Sequence, residues 1–271
     1  MDRKQFFRTL VVAGAACLAA GAAFAESAYT IGASLLTQQH PFYVELADAM
    51  KKAAAKDGAN LDLSIANQDL SKQISDVEDF ISKKVSVIVL SPVDSKGVKA
   101  ALRKAEAAGI PVVTVDSAAP GAGVSSPVAP DNYPGGVDAG ELMGKVLGGK
   151  GKVGVLHYPT IQSVVDRVEG FKKALGAFPG IKVVSVQPGI TRAEALAASQ
   201  NMLQAHPDLA GIFGFGDDAA LAAVVAVKSA RKADQVKVIG FGGMPGARAA
   251  GDKGPSFVGV VRQYAGQVGA R

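Results

Sequence analysis

The chain predicts an α/β fold built on parallel sheets, each flanked by helices, and three observations carry that assignment. Short β-branched runs alternate along the chain with longer segments whose apolar residues recur at helical spacing. The strand-like runs are apolar throughout instead of alternating, as in strands covered on both faces. The βα units also divide into four before and four after a single stretch rich in Gly, Ser and Pro, which predicts two similar halves joined by a crossing.

The N-terminus stands outside this rhythm. Arg3, Lys4 and Arg8 precede an uninterrupted apolar run from Leu10 to Phe24, closed by Ala23-Phe24-Ala25 before Glu26. A charged head, a short apolar stretch and small residues before a polar one form the pattern of a secretory signal peptide. The run is shorter than the roughly 20 residues needed to span a bilayer, and the competing reading is a buried N-terminal helix. Cys17 lacks the aliphatic residue three positions earlier that lipid attachment requires, since Gly14 stands there. Residues 1–25 are therefore assigned to a signal peptide, with the mature chain starting at Glu26 and working outside the cytoplasm.

Strands are predicted at Tyr29–Leu35, Leu61–Ala66, Val87–Leu90, Pro111–Val115, Lys152–Leu156, Lys182–Val186, Gly211–Phe215, Lys237–Phe241 and Phe257–Val261. Between them, Tyr43, Leu46, Ala47, Met50 and Ala54 share one helix face. So do Leu70, Ile74, Val77 and Ile81, then Val164, Val168, Phe171 and Leu175, and then Leu221, Val224 and Val225. The break runs from Asp116 to Pro127, a loop of small residues, and Asp131-Asn132 leads into the next helix. This divides the chain into an N-terminal lobe of residues 26–127, with a return segment 263–271, and a C-terminal lobe of residues 128–262. The alternative is one continuous sheet with a long surface loop.

Composition narrows the function. The one cysteine lies in the segment to be removed, so the mature chain has no disulfide and no thiol nucleophile. The net charge of +5 falls to about +3 without Asp2, Arg3, Lys4 and Arg8, and no basic stripe with interleaved aromatics suggests a nucleic-acid partner. Gly144–Gly151 matches a phosphate-loop spacing but carries Gly151 where Ser or Thr would hold Mg²⁺, and it precedes a strand instead of following one. Gly240-Phe-Gly-Gly-Met-Pro-Gly246 resembles a loosened dinucleotide fingerprint, but such a fingerprint belongs on the first βα unit. His40, His157 and His206 are far apart, and no Gly-x-Ser-x-Gly elbow is present. Asp217-Asp218 reads as acidic residues placed at a helix start. Neither a nucleophile–base pair nor a metal or cofactor site assembles, which favours a binding protein over an enzyme.

In open α/β sheets, ligands gather beyond the carboxyl ends of the strands. Read there in order, the chain offers His40, Phe42 and Tyr43; Ser91; Asp116 and Ser117; Arg167; Phe215, Gly216 and Asp217; Phe241 and Gly242; and Gln263 after the last strand. Aromatic rings present a flat apolar face to sugar C–H groups, Asp116 can accept hydroxyl hydrogens, and Arg167 can donate to ligand oxygens. Phe42 and Tyr43 can equally be read as sealing a helix start, and Arg167 as a solvated helix residue. Asp116, directly ending an apolar strand, needs a partner.

These residues resemble the type I periplasmic sugar-binding proteins of ABC transporters, in particular the ribose-binding-like group, over essentially the whole chain from Tyr29. His40-Pro41-Phe42-Tyr43 is similar to the family's Asn-Pro-Phe-aromatic segment, Leu90-Ser91-Pro92 to its strand-ending Asn-Pro, and Val115-Asp116 to its ligand-binding aspartate. Asp131-Asn132 falls at the first crossing. Asp166-Arg167-Val168-Glu169-Gly170-Phe171 resembles its arginine-bearing helix start, Gly240-Phe241-Gly242-Gly243 its Gly-Phe-Asp-Gly, and Arg262-Gln263 the end of its second crossing. The resemblance implies a two-lobed, periplasmic-binding-protein type I fold that closes on one ligand by hinge bending. It also implies periplasmic location, a membrane permease as partner, and a small neutral sugar or polyol as ligand, with the protein expected to act as a monomer without cofactors.

The departures are informative. Gly216 stands where the family usually has a ligand-binding Asn, Gly242 replaces an aspartate, and His40 and Ser91 replace Asn. These changes argue for a ligand different from or larger than ribose, or for reduced affinity. The chain ends at Arg271, where family members continue with a helix, a third crossing and a last strand, so a shortened C-terminus is expected. Two other readings stay open: the effector domain of a sugar-responsive repressor, which lacks its helix-turn-helix here, and a secreted α/β enzyme using Asp116 or His157 as base.

Overall fold

The structure, a computed structural model, describes residues 29–121, 123–251 and 254–271. The segment assigned to a signal peptide, residues 1–25, lies outside them. In chain order the elements are β1 (Thr30–Leu35), α1 (Pro41–Lys56), β2 (Asn60–Ile65), α2 (Leu70–Ser82), β3 (Val87–Leu90), α3 (Lys99–Ala107), β4 (Val112–Val115) and β5 (Ser126–Val128). They continue with α4 (Asn132–Val146), β6 (Lys150–His157), α5 (Gln162–Leu175), β7 (Gly180–Pro188), α6 (Arg192–Ala205) and β8 (Leu209–Gly214). The last are α7 (Asp217–Ser229), β9 (Lys237–Gly242), α8 (Pro245–Gly251), β10 (Phe257–Arg262) and α9 (Ala265–Gly269).

The strands form two five-stranded sheets, ordered β2-β1-β3-β4-β5 and β10-β9-β8-β6-β7, and every pairing is parallel. Read from its other edge, the second sheet repeats the order of the first, so the α/β fold is one βα plan used twice. In each, the strand order reverses beside the first strand, between β1 and β3 and between β6 and β8. At such a switch point neighbouring loops diverge and leave a crevice at the carboxyl ends.

Local sequence explains where the site-bearing helices begin. His40 caps α1, its Nδ1 accepting from the Phe42 N–H at 3.1 Å, and Pro41 supplies the pre-set φ of a first helical position. Asp69 caps α2 by accepting from Ser71 and Lys72. Thr191 and Glu194 form a reciprocal capping box at α6. The helices α4 and α5 approach backbone to backbone. A methyl group at Gly136 would fall on the Arg167 carbonyl, and one at Gly170 on the Tyr133 carbonyl.

Three details differ from the expectations. The break after Val115 is not all loop: Ser126–Val128 is a fifth strand on the edge of the first sheet, with Val128 beside Val115. Its Pro127 cannot donate to a ladder, and an edge is where a strand tolerates that. The inner face of α2 is rotated from the apolar stripe, so that Gln73, Asp76, Val77 and Phe80 are buried while Leu70, Ile74 and Ile81 are only partly so. Burial of the polar pair is possible because Asp76 accepts from Ser34, Ser64 and Lys72, and Gln73 bonds the Ser91 carbonyl and the Val93 N–H. Val225 is exposed, since α7 instead buries Ala220, Ala223, Val224 and Val227. The Val164, Val168, Phe171 and Leu175 face is buried as expected.

Among the described residues, no helix is long and apolar enough to cross a membrane. The chain passes from the first sheet to α4 after Val128 and returns from β10 through Gln263 to α9, which packs on α1 beside Leu46 and Ala49.

Candidate functional site

The carboxyl ends of both sheets open onto one cavity of about 290 Å³. Its walls come from both halves of the chain: His40 at the cap of α1, Phe42 and Tyr43 on that helix and Asp116 after β4 on one side, Arg167 on α5, Phe215–Ala219 after β8 and Phe241 on β9 on the other, with Gln263 at the return crossing.

Asp116 sits where an apolar strand must end in a polar group. Its φ of +65° is in the left-handed region, and the Ser117 N–H reaches back to the Val115 carbonyl at 2.7 Å, closing a γ-turn around it. Asp tolerates that conformation better than most residues, and the turn aims its carboxylate into the cavity instead of along the sheet. The Tyr43 hydroxyl donates to Asp116 Oδ2 at 2.9 Å, while Asp116 Oδ1 lies 3.7 Å from Arg167 Nη2 on the opposite wall.

Arg167 is fixed from four sides. Its Nε donates to Asn132 Oδ1 at 2.8 Å, its Nη1 to the Phe215 carbonyl at 3.0 Å, the guanidinium stacks 4.2 Å above the Phe241 ring, and Asp116 neutralises it. A guanidinium has more N–H donors than these acceptors use, and a carboxylate more lone pairs than Tyr43 engages. Both residues line the cavity.

Electrostatics sharpen this. Burial pushes the Asp116 carboxyl above its usual range, against the lowering pull of Arg167 and of the Tyr43 hydrogen bond. Burial likewise pushes the Arg167 guanidinium down, against the pull of Asp116. Each partner is driven toward its neutral form, so the pair alone does not replace the water that both groups lose. Tyr43 is raised well above the ordinary phenol value, first by burial and then by Asp116, and so remains a donor. Gln263 also lines the cavity, and its side chain is a further hydrogen-bond neighbour that pulls the Asp116 carboxyl down. The arrangement presents acceptors, donors and flat aromatic faces together, as a neutral polyhydroxylated molecule needs. Among the described residues, no cluster of His, Asp and Glu is arranged to hold a metal ion.

Of the residues singled out in the sequence, His40, Phe42, Tyr43, Asp116, Arg167, Gly216, Phe241 and Gln263 line this cavity, whereas Ser91, Ser117 and Gly242 do not. Ser91 is buried behind the wall, its carbonyl held by Gln73. The Ser117 hydroxyl accepts from the Ser163 N–H at 3.0 Å, linking the first half to the start of α5. Gly242 is backed by Asp217, whose carboxylate occupies the space a side chain would need and accepts from the Gly243 and Met244 N–H groups at 3.0 and 2.9 Å. That use of Asp217 was not visible in sequence, because its partners lie 26 and 27 residues away. Asn132, noted only as part of a crossing, orients Arg167. Arg192 and Asp218 at the cavity mouth were also missed as a pair, 3.3 Å apart, with His40 Nε2 3.9 Å from the same Asp218.

Residues 31–270 match the periplasmic binding protein domain. The chain is 34% identical over 263 residues, 96% of its own length and 88% of the relative's, to the ribose import binding protein RbsB of Salmonella typhimurium. Its identity to the corresponding Bacillus subtilis protein is 37% over 223 residues, 82% of this chain and 72% of that one. Among solved structures, an ABC transporter solute-binding protein of Mycobacterium smegmatis with bound glycerol superposes with a TM-score of 0.83 at 37% identity, covering 90% of this chain and 85% of that one. The paired sheets, the cavity between their strand ends and this likeness along nearly all the described chain lead to one assignment: the chain belongs to the periplasmic binding protein family, whose members bind solutes and do not catalyse reactions.

Proposed function

We propose that the protein is the periplasmic receptor of an ABC importer and takes up a monosaccharide or polyol in the cavity between two lobes that close around it. The first lobe is built on the β1–β5 sheet with α9 returned to it, and the second on the β6–β10 sheet, with the crossings at Ala129–Asp131 and at Gln263. Asp116, Tyr43 and Gln263 take ligand hydroxyls from one side, Arg167 donates from the other, and Phe42, Phe215 and Phe241 cover the apolar ligand faces. His40 and Gly216 border the ligand. Closure excludes water, so the same polar contacts act in a lower dielectric and strengthen. A membrane permease is the expected partner, and the N-terminal segment 1–25 the export signal.

The observation that carries the reading is the pairing of Asp116 with Arg167, two opposite charges from the two halves of the chain buried together on the lining of one cavity. Relatives whose names specify ribose, or ribose and allose, and solved structures holding glycerol, allose or myo-inositol support the ligand class. Isothermal titration of the chain from Glu26 against pentoses, hexoses, cyclitols and small polyols tests it. Saturable binding with a micromolar or tighter Kd is expected, and no heat from any sugar or polyol at millimolar concentration, with folded protein, overturns it.

A further inference from the structure

Helix α5, which carries Arg167, has no cap of its own. Ile161 stands at its N-cap position and offers no side-chain acceptor. The Val164 and Val165 N–H groups both reach back to the Ile161 carbonyl at 3.1 Å, which leaves those of Gln162 and Ser163 without a partner in their own half of the chain. Both find one in the other half. Gln162 N–H donates to Ser95 Oγ and Ser163 N–H to Ser117 Oγ, each at 3.0 Å, across 67 and 46 residues of sequence. The Ser95 N–H donates in return to the Thr160 carbonyl at 2.9 Å, and the two serine hydroxyls lie 3.5 Å apart.

Each serine is held in place by its own half. Asp94 Oδ1 accepts from the Lys96 and Gly97 N–H groups at 2.8 and 2.7 Å, closing a turn around Ser95. Ser117 shares the γ-turn that aims Asp116, its N–H bonding the Val115 carbonyl. Ser95, Ser117 and Ser163 are all buried, yet neither Ser95 nor Ser117 lines the cavity. Their hydroxyls are spent on the opposite half of the chain.

Parting the two halves at the crossings breaks all three bonds and hands their groups to water. The contact is also tied to the charged pair. Ser117 directly follows Asp116, and Ser163 lies about one helical turn before Arg167, so seating one on the other brings Asp116 to 3.7 Å from the guanidinium. We infer that Ser95 and Ser117 are positioning residues: they cap α5 from the opposite lobe and form a clasp that holds the closed state and sets Asp116 against Arg167 without touching the ligand. This rests on the two-lobed receptor reading above.

A ligand's apparent Kd rises as the binding-competent fraction falls, so a weaker clasp lowers affinity for every ligand alike. Ser95→Ala and Ser117→Ala, alone and together, test this by calorimetry and stopped-flow kinetics with D-ribose, D-allose and myo-inositol as probes. Each single change is expected to raise Kd about fivefold and the pair about 20-fold or more. The rise should lie in koff, with kon within about twofold of wild type, and be equal for each probe that binds. Urea unfolding without ligand should hardly move, and the Gln162 and Ser163 amides should exchange more slowly with ligand than without. Ser199→Ala, which removes an equally buried hydroxyl bonded within α6 to the Ala195 carbonyl at 2.7 Å, should leave Kd unchanged.

An unchanged Kd in the double variant, an effect confined to one sugar, a loss of ligand-free stability with koff unaltered, or amides protected equally with and without ligand overturns the clasp while leaving a sugar receptor. Failure of every sugar and polyol to bind wild-type protein overturns the receptor reading, and the clasp with it.

Discussion

Replacing Asp116 by Asn separates what the carboxylate does for the ligand from what it does for the fold. Asn is nearly isosteric, tolerates the left-handed backbone at φ +65° and keeps an acceptor for the Tyr43 hydroxyl. What disappears is a charge 3.7 Å from Arg167 Nη2. At an effective dielectric constant of about 20, that contact is worth about 4 kcal/mol of attraction. The direction of the Asp116 shift shows that burial outweighs this attraction even with Arg167 in place. An acid whose folded value is raised contributes stability that is present below its unfolded value of about 3.9 and is lost as pH rises through the folded value. At neutral pH the ionised carboxylate is therefore a net cost to the empty protein, and its neutral mimic should leave stability unchanged or raise it.

Binding should move the other way. Charged hydrogen bonds contribute about 1.5–3 kcal/mol each and neutral ones about 0.5–1.5, and the Asn amide also turns one acceptor into a donor. A loss of about 2–3 kcal/mol follows, or about 30- to 150-fold in Kd. Titration calorimetry at pH 7 and urea unfolding without ligand measure the two quantities. In addition, wild-type affinity should decline on acidification at a pH above the ordinary aspartate range, while the variant loses that part of the pH dependence and retains any due to Asp217, which burial also raises. A variant that binds within about threefold of wild type, or whose ligand-free stability falls by several kcal/mol, refutes the reasoning.

Other substitutions probe the scaffold. Gly136→Ala pushes α4 off the Arg167 carbonyl and should cost about 3 kcal/mol of stability or more, read by chemical denaturation, together with a loss of affinity because Asn132 and Arg167 shift apart. Thr191→Ala opens the α6 capping box and should cost about 1 kcal/mol in the same assay, with Thr191→Ser restoring most of it. His157 is half-buried and its pKa is lowered, first by burial and then by Lys172. The stability it contributes is present above about pH 6.5 and is lost as pH falls from there through the lowered value. In His157→Gln, unfolding free energies at pH 5 and pH 7.5 should differ by less than in wild type.

Periodicity and strand composition determined most of this architecture. Nine of the ten strands and the buried faces of α1 and α5 follow from local spacing alone, because a strand covered on both sides must be apolar and a helix on a sheet needs one apolar stripe. The exceptions share a cause. The β5 strand carries a proline that only an edge tolerates, and the buried face of α2 is polar because Ser34 and Ser64 on neighbouring strands satisfy Asp76. Such compensation is invisible until distant segments meet.

At the site, the same division holds. Asp116 was legible because a carboxylate ending an apolar strand needs a partner, and Gly216 because it follows a strand's carboxyl end where the resembling family carries a ligand-binding Asn. Only the tertiary structure decided that Arg167 faces Asp116 instead of solvent, that Asn132 and the Phe215 carbonyl hold it there, and that Ser91, Ser117 and Gly242 lie behind or beside the cavity. Local sequence constrains what each residue can do on its own helix or strand. Which residues confront each other is set by how two sheets, folded from separate stretches of chain, bring their strand ends together.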